Sequence, residues 1–312
     1  MALDSGYETY RYEKSLFEAN GYAFNLYEGP AAEKGSKINY PQDATGILVR
    51  GTLIDREAMV KMPRLKAIVR YGTGFENIDL AAAFERGIRV ANVQGYANHA
   101  VSDHALGLMF ACIRGIGNPW PADFGKPTRG EIFELHDKIL GIIGIGRIGS
   151  RFSRKASPLF REILAYDPYK TAEYMKDAGA VKTELPEVLE KSHVISIHCN
   201  LSPETFHLFD RQAFSLMKQK PVLINTARGP VIESSALLLA LNEGRIHSAG
   251  VDVFEEEPPG RMEAELISHP HVIATPHVAW YSVSAMYELQ KRAAENLLAL
   301  LQGRDVEDEI TP

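Results

Sequence analysis

Along the chain, apolar runs rich in Val and Ile alternate with stretches whose apolar residues recur at helical spacing. In the N-terminal third, this pattern predicts three strands and two intervening helices. The strands are at Gly46–Arg50, Leu65–Arg70 and Arg89–Val93, and the helices are at Asp55–Met62 and Asp79–Arg86. Such alternation is typical of a parallel sheet with helices on its faces.

A second alternating series follows a long predicted helix, for which Asn98 is the expected N-cap and which runs to Arg114. A turn-rich stretch over Gly115–Gly130, with Gly and Pro around Trp120, separates the helix from this series. The strands predicted next are Lys138–Ile143, Glu162–Asp167, Val194–Cys199, Val222–Thr226, His247–Phe254 and Val272–Thr275. The helices predicted next are Arg147–Phe160, Pro203–Met217, Ser234–Glu243 and Val283–Leu301.

Six strands with intervening helices make a complete doubly wound unit of the dinucleotide-binding (Rossmann) type. The expected fold is therefore α/β, with two doubly wound parallel-sheet domains. The Rossmann domain, 99–280, is inserted in a flavodoxin-like substrate domain made of 1–98 and 281–312. We expect the last helix to return to the first domain, so that the chain crosses between the domains near 98 and 281.

Composition narrows the class of protein. The chain has 312 residues, a formal net charge of −6, and no basic stripe, which argues against a nucleic-acid partner. Cys112 and Cys199 have no Cys or His partner at metal-ligand spacing, which favours buried thiols in a reducing compartment and no metal site. The first residues do not resemble a signal peptide, and no apolar run approaches the ~20 residues that cross a bilayer. We expect a cytoplasmic protein that does not enter membranes.

A glycine-rich motif indicates where a dinucleotide binds. Gly144, Gly146 and Gly149 form Gly-x-Gly-x-x-Gly between an apolar strand and an amphipathic helix, and Asp167 follows Gly149 by 18 residues (167 minus 149) at the next strand end. Gly144 permits the tight turn, Gly146 lets the backbone approach the pyrophosphate, and Gly149 lets the helix press on the strand. The helix N-terminus attracts phosphates. An acid at 167 binds ribose hydroxyls and repels a 2′-phosphate, so we expect NAD rather than NADP.

Three later segments carry groups suited to reducing a 2-oxo acid. Arg228, Glu257 and His277 each follow a predicted strand, and the carboxyl ends of parallel strands face the ligand crevice. His277 is the expected acid/base, because the ordinary pKa of histidine, ~6.5, lies near neutral pH. Glu257 is its expected orienting partner, and Arg228 is expected to hold the substrate carboxylate and polarise the carbonyl.

Five motifs together resemble the D-isomer-specific 2-hydroxyacid dehydrogenase family. The match extends over nearly the whole chain, and its motifs occur in the order of the family. They are Arg70–Asp79 (RYGTGFENID), Gly144–Gly149 with Asp167, Asn225–Gly229 (NTARG), Asp252–Pro258 (DVFEEEP) and Thr275–His277 (TPH). The resemblance implies that Arg228, Glu257 and His277 are the catalytic residues, and it selects Glu257 among the three acids at 255–257.

The resemblance also implies two further sets of residues and a partner. Residues expected to contact the cofactor are Gly144, Gly146, Arg147, Ile148, Gly149, Asp167, Pro168, Thr226, Ala227, Asp252 and Ala279. Residues expected to contact the substrate are Arg70, Tyr71, Gly72, Thr73, Gly74 and Trp280. Trp280 is equally compatible with packing at a domain interface. Family members are usually homodimers, so a homodimer is expected.

Two branches of the family look closest, the phosphoglycerate dehydrogenases and the C-terminal-binding proteins. They lead to two classes of function. The first is an NAD-dependent oxidoreductase acting on a small 2-oxo or 2-hydroxy acid, such as 3-phosphoglycerate dehydrogenase or glyoxylate/hydroxypyruvate reductase. The second is an NAD(H)-sensing scaffold, similar to a corepressor, in which nucleotide binding drives assembly with protein partners. A hydrolase with tightly held NAD is a third and weaker alternative.

Overall fold

The computed structural model describes residues 1–4, 6–27, 37–116 and 132–311. The predicted turn-rich connection, including Trp120, falls almost entirely outside these residues. Over the described ranges, the strands are β1 (Gly46–Val49), β2 (Ala67–Arg70), β3 (Arg89–Ala91), β4 (Ile139–Ile143), β5 (Glu162–Tyr166), β6 (Val181–Lys182), β7 (Val194–Ile197), β8 (Val222–Asn225), β9 (Ser248–Val251), β10 (Val272–Ala274) and β11 (Glu309–Ile310). The helices over the same ranges are α1 (Arg11–Ala19), α2 (Arg56–Lys61), α3 (Leu80–Glu85), α4 (Asn98–Arg114), α5 (Arg147–Ala156), α6 (Ala172–Asp177), α7 (Leu185–Lys191), α8 (Arg211–Ser215), α9 (Ser234–Asn242), α10 (Arg261–Ser268) and α11 (Val283–Leu301).

The chain divides into two compact units, Met1–Ala97 with Ser282–Pro312, and Asn98–Tyr281. The first unit is built on a sheet of order β1-β2-β3-β11, in which β1 to β3 are parallel and β11 is antiparallel to β3. Neighbouring residues of these strands point to opposite faces, so Ile47 and Leu48 enter different cores. Helix α11 packs against β1 and β2, and its Leu297 belongs to the core that contains Leu48.

The second unit is a seven-stranded parallel sheet of order β10-β9-β8-β7-β4-β5-β6. Strand order reverses between β4 and β7, which is where an open α/β sheet binds its ligand. Buried residues of both sheet faces form two cores, with Ile143 in one and Ile142 in the other. The fold class predicted from the sequence, α/β with parallel sheets and a Rossmann unit, is confirmed.

Two predicted helices differ from the structure. The predicted helix Pro203–Met217 is wrong except for α8, because His207 has a φ of 51° and Phe209 pairs with Ile232 in a β-bridge. The predicted helix from Arg147 ends at Ala156, and a 3₁₀ turn over Ser157–Leu159 replaces its last part. Pro158 explains the change, since its ring lacks the N–H that an α-helix needs.

Short elements escaped prediction, namely α1, α6, α7, α10 and the two-residue strands β6 and β11. They are short or lack a clear apolar period, so periodicity gives little signal. None of the described helices is both long and apolar enough to span a membrane.

Candidate active site

The glycine-rich turn between β4 and α5 has the geometry that its motif predicts. Gly144 has a φ of +85°, and a Cβ there would lie 2.5 Å from the backbone nitrogen of Cys199. A Cβ on Gly149 would lie 2.1 Å from the carbonyl oxygen of Gly144. A Cβ on Gly146, in contrast, meets nothing within 4 Å. Two glycines therefore pack the turn against β7, and the third leaves space at the start of α5.

Helix α5 begins at Arg147, so its first amides, including that of Ile148, point at this space. Asp167 follows β5 and faces the same turn, since its Oδ2 accepts a hydrogen bond from the Ile145 N–H at 3.0 Å. Its Oδ1 accepts from the Tyr169 N–H at 2.9 Å, across the exposed Pro168. The carboxylate is thus oriented beside the glycine turn. The arrangement fits a dinucleotide, with phosphates at the helix start and a ribose beside Asp167.

Asp252 organises the segment that carries His277. Its side chain is 1% exposed, and its two oxygens accept from the backbone N–H groups of Val278 at 2.9 Å and Ala279 at 2.8 Å. The Thr275 hydroxyl donates to Oδ1 at 2.5 Å. His104, on α4, contacts Thr275 with its Nε2 2.9 Å from the hydroxyl oxygen. The sequence did not point to His104, because a histidine within a helical pattern carries no signal of its own.

The side chains of His277 and Glu257 are in contact. Glu257 Oε2 lies 2.8 Å from His277 Nδ1, and Glu257 Oε1 accepts from the Phe254 N–H at 3.2 Å. The side chains are 38% and 20% exposed, so the ring is accessible to a ligand while its partner is shielded. Because Nδ1 is held by the carboxylate, Nε2 is the ring nitrogen that can face a ligand.

The backbone at His277 is held in an uncommon conformation. Its φ is +55°, a left-handed value that is costly for a residue with a Cβ. Its N–H donates to the Asp252 carbonyl at 2.8 Å, and its carbonyl accepts from the Trp280 indole at 2.9 Å. Trp280 therefore supports the histidine backbone, a contact that the sequence did not predict.

Arg228 lies after β8, in a segment that touches the one carrying Glu257. Its backbone carbonyl accepts from Asn225 Nδ2 at 3.0 Å, and its Nη1 donates to the Ala227 carbonyl at 2.8 Å. A Cβ on Gly229 would lie 1.8 Å from the Phe254 carbonyl oxygen, which shows how closely the two segments approach. The buried Thr226 hydroxyl has no hydrogen-bond partner within the described residues. A bound ligand would satisfy it.

A cluster beside these segments was missed from the sequence. It consists of His207, Ser234 and Glu255, and we call it the Glu255 cluster. Glu255 Oε1 lies 2.6 Å from His207 Nε2, and Oε2 accepts from the Ser234 N–H at 2.9 Å. Burial acts to raise the pKa of Glu255, but the hydrogen bonds from Ser234 and His207 bring it below its ordinary value.

The expected substrate residues of the first unit follow β2. A Cβ on Gly72 would lie 1.6 Å from Arg70 Nη1, so the arginine lies across this glycine, whose φ is +128°. Tyr71 belongs to the core: it is 2% exposed, its N–H donates to the Val49 carbonyl and its hydroxyl to Glu13. Its assignment as a substrate contact is therefore corrected, because neither group points to an open position. The amides of Gly72, Thr73 and Gly74 donate to no other described residue.

Comparison with known proteins gives concordant results. Residues 106–279 match the model of the D-isomer specific 2-hydroxyacid dehydrogenase NAD binding domain. The chain is 35% identical to D-3-phosphoglycerate dehydrogenase of Methanocaldococcus jannaschii over 278 residues, covering 86% of this chain and 52% of that protein. It is 35% identical to glyoxylate reductase of Pyrococcus furiosus, covering 80% and 77%. D-lactate dehydrogenase of Aquifex aeolicus, solved with NAD and lactic acid, superposes with a TM-score of 0.83 at 28% identity, covering 97% and 95%.

Proposed function

The chain belongs to the D-isomer specific 2-hydroxyacid dehydrogenase family, and from this premise we propose that it catalyses NADH-dependent reduction of a small 2-oxo acid, and the reverse oxidation. It is an NAD-dependent oxidoreductase, and its relatives carry the names of phosphoglycerate, glyoxylate, glycerate and lactate enzymes. The compounds in these names share a carboxylate next to the reacting carbon, and this feature defines the proposed substrate class. The observation that carries the proposal is that Glu257 Oε2 lies 2.8 Å from His277 Nδ1. The loop that carries Glu257 is in turn in contact with the Arg228 segment.

The cofactor is NAD, and the described residues fit it. The open space above Gly146, the start of α5 and the unpartnered hydroxyl of Thr226 provide room and hydrogen-bonding groups for a dinucleotide. When bound, the nicotinamide supplies or accepts the hydride. Asp167 would hold the ribose hydroxyls, and the Asp252 loop, with Ala279, would border the nicotinamide. Arg147, Ile148, Pro168 and Ala227 would line the remainder of the site.

The protein residues do the rest. As the substrate oxygen gains negative charge during reduction, His277 donates a proton to it from Nε2. Glu257, bound to Nδ1, stabilises the positive charge that the ring carries before the transfer. Arg228 holds the substrate carboxylate and polarises the carbonyl.

The test is steady-state oxidation of NADH with glyoxylate, hydroxypyruvate, 3-phosphohydroxypyruvate and pyruvate. We expect turnover with at least one of them, and a strong loss of turnover in the His277→Ala variant. Absence of turnover with the whole panel, together with tight NADH binding, would contradict the enzyme proposal and favour the NAD(H)-sensing alternative. A pull-down with and without NADH then separates a scaffold from an enzyme with a substrate outside the panel.

We further propose that the protein is a cytoplasmic homodimer. The support for the compartment is that Cys112 and Cys199 are both free. The support for the dimer is family membership alone. Light scattering coupled to gel filtration tests the assembly, and a mass of about 35 kDa, close to the 34.6 kDa chain, would contradict it.

A further inference from the structure

Glu255 belongs to the segment that carries Glu257, and its carboxylate binds two residues that are connected to the segment that carries Arg228. Oε1 is paired with His207 at 2.6 Å, and Oε2 accepts from the Ser234 N–H at 2.9 Å. His207 and Glu255 side chains are 29% and 27% exposed, so solvent screens this pair only partly. Glu255 is therefore better placed to bind protein groups than to meet a ligand.

Both partners of Glu255 are connected to the Arg228 segment. The His207 N–H donates to the carbonyl of Pro230 at 2.9 Å. Ser234 is the first residue of α9, directly after the turn that follows Arg228. The contact of Gly229 with the Phe254 carbonyl closes the same junction from the other side. The chain from 228 to 234 is thus joined to the chain from 254 to 257 at two points.

Electrostatics favour the charged form of Glu255 at this place. Its carboxylate binds a free amide at the start of α9, where Glu233, the N-cap residue, makes no capping hydrogen bond with its side chain. A negative charge at a helix N-terminus is stabilising. Hydrogen bonds between ionised groups are shorter and stronger than neutral ones. Glu255, which lies on a different loop from Glu233, thus caps α9 in its place. This hydrogen bond holds the loop that carries Glu255 against the start of α9.

We propose that Glu255 and His207 are positioning residues, which hold the Arg228 and Glu257 segments at the separation that catalysis requires. Neither side chain touches the proposed reacting groups, so both act through the segments that they hold. The expected effect on the reaction rate therefore rests on the proposed function. The adjacent Glu256 is exposed, and its carboxylate lies beside Gly260, so it provides a matched control. The positioning role requires a carboxylate at position 255 itself, and not simply an acidic residue somewhere in 255–257.

The kinetic test compares Glu255→Ala, Glu255→Gln, His207→Ala and Glu256→Gln. We expect kcat for 2-oxo acid reduction to fall about 10- to 100-fold in the two alanine variants, because misplacement by ~1 Å costs up to about 100-fold. Glu255→Gln retains an acceptor for Ser234 and should lose less, and Glu256→Gln should match the wild type. The Kd of NADH should stay within about twofold, and the isotope effect with deuterated NADH should rise as hydride transfer becomes slower. The double variant Glu255→Ala/His207→Ala should be no worse than Glu255→Ala alone, since that single change already removes the interaction with His207.

A loss of activity that only follows the folded fraction, with an unchanged isotope effect, would overturn the proposal, and so would an equal loss in Glu256→Gln. Hydrogen exchange provides a readout that does not need turnover. Peptides covering 228–236 and 252–260 should both exchange faster in Glu255→Ala than in the wild type. If neither does, the positioning role is refuted. If both do and the wild type reduces no 2-oxo acid, the junction stands and the proposed reaction fails.

Discussion

A methyl group at Gly229 tests whether the Arg228 and Glu257 segments must touch. In Gly229→Ala, the new Cβ would lie 1.8 Å from the Phe254 carbonyl oxygen and 2.6 Å from the Glu255 nitrogen. Real Cβ atoms essentially never come closer than 3.0 Å to another heavy atom, so the two segments must separate by at least about 1.2 Å (3.0 minus 1.8). Both contacted atoms belong to the backbone, and therefore no side-chain rotation relieves the clash.

The expected cost follows from that displacement. Overpacking of a closely packed site destabilises a protein by about 1–3 kcal/mol. Misplacing catalytic groups by ~1 Å lowers the rate by about 100-fold. We therefore expect kcat to fall about 100-fold. The Kd of NADH should change much less, because the glycine turn and Asp167 are not part of the two segments that separate. Steady-state kinetics at saturating NADH, fluorescence titration of NADH and thermal unfolding measure the three quantities.

Gly107→Ala is the matched control. Gly107 is exposed within α4, and a Cβ there meets nothing within 4 Å. Alanine is favoured over glycine in a helix by up to ~1 kcal/mol, so this variant should be equally active and slightly more stable. A folded Gly229→Ala protein with kcat within about threefold of the wild type would refute the reasoning, since the segments would then tolerate separation without loss of catalysis.

Three further predictions concern single residues. His277→Ala should lower kcat by roughly 100-fold or more with little change in NADH binding, and near-normal kcat would remove His277 from the mechanism. Asp167→Ala should raise the kcat/KM with NADPH relative to NADH by about tenfold, and an unchanged ratio would contradict its assigned role. Burial lowers the pKa of His198 from 6.5 to about 3, so between these values the unfolded chain binds the extra proton and stability falls with falling pH by up to ~1.4 kcal/mol per unit. The free energy of unfolding, measured with urea from pH 6.5 to 4, should therefore fall less steeply in His198→Gln than in the wild type. His136→Gln should behave like the wild type, because His136 is 76% exposed.

Much of the fold follows from periodicity, because long apolar strands and an amphipathic last helix leave a clear pattern. The bounds of α11, Val283–Leu301, agree with the prediction at both ends. The prediction of a helix over Pro203–Met217 is wrong, because the same spacing of apolar residues arises here from a different structure. Phe209 is buried by pairing beside Ile232, and the Thr205 hydroxyl turns the chain by accepting from the Ser202 N–H at 2.8 Å. Local turn chemistry of this kind competes with helix formation and has no period.

The candidate site was predictable to the extent that its groups follow strands. Arg228, Glu257 and His277 were identified because carboxyl ends of parallel strands meet at one edge of a sheet. His104 and Glu255 were not, because their contacts depend on the directions of side chains from a helix and a loop. Tyr71 shows the opposite case: the motif predicts a substrate contact, while the tyrosine itself lies in the core.

The three consecutive glutamates at 255–257 show why residue type alone does not set a role. They share one chemistry, but Glu256 faces solvent, Glu255 binds the start of α9, and Glu257 binds His277. A carboxylate can orient a histidine only if it is itself anchored, and the Phe254 N–H occupies one oxygen of Glu257 and leaves the other for the ring. The loop that supplies this anchor is in turn held to α9 through Glu255.

The left-handed backbone of His277 is also held by hydrogen bonds from other segments, since Asp252 and Trp280 bind the backbone N–H and carbonyl of His277. The geometry of the proposed catalytic pair thus depends on hydrogen bonds between loops. For this reason we expect removal of the Glu255 carboxylate to lower the reaction rate, although Glu255 is not one of the proposed reacting groups.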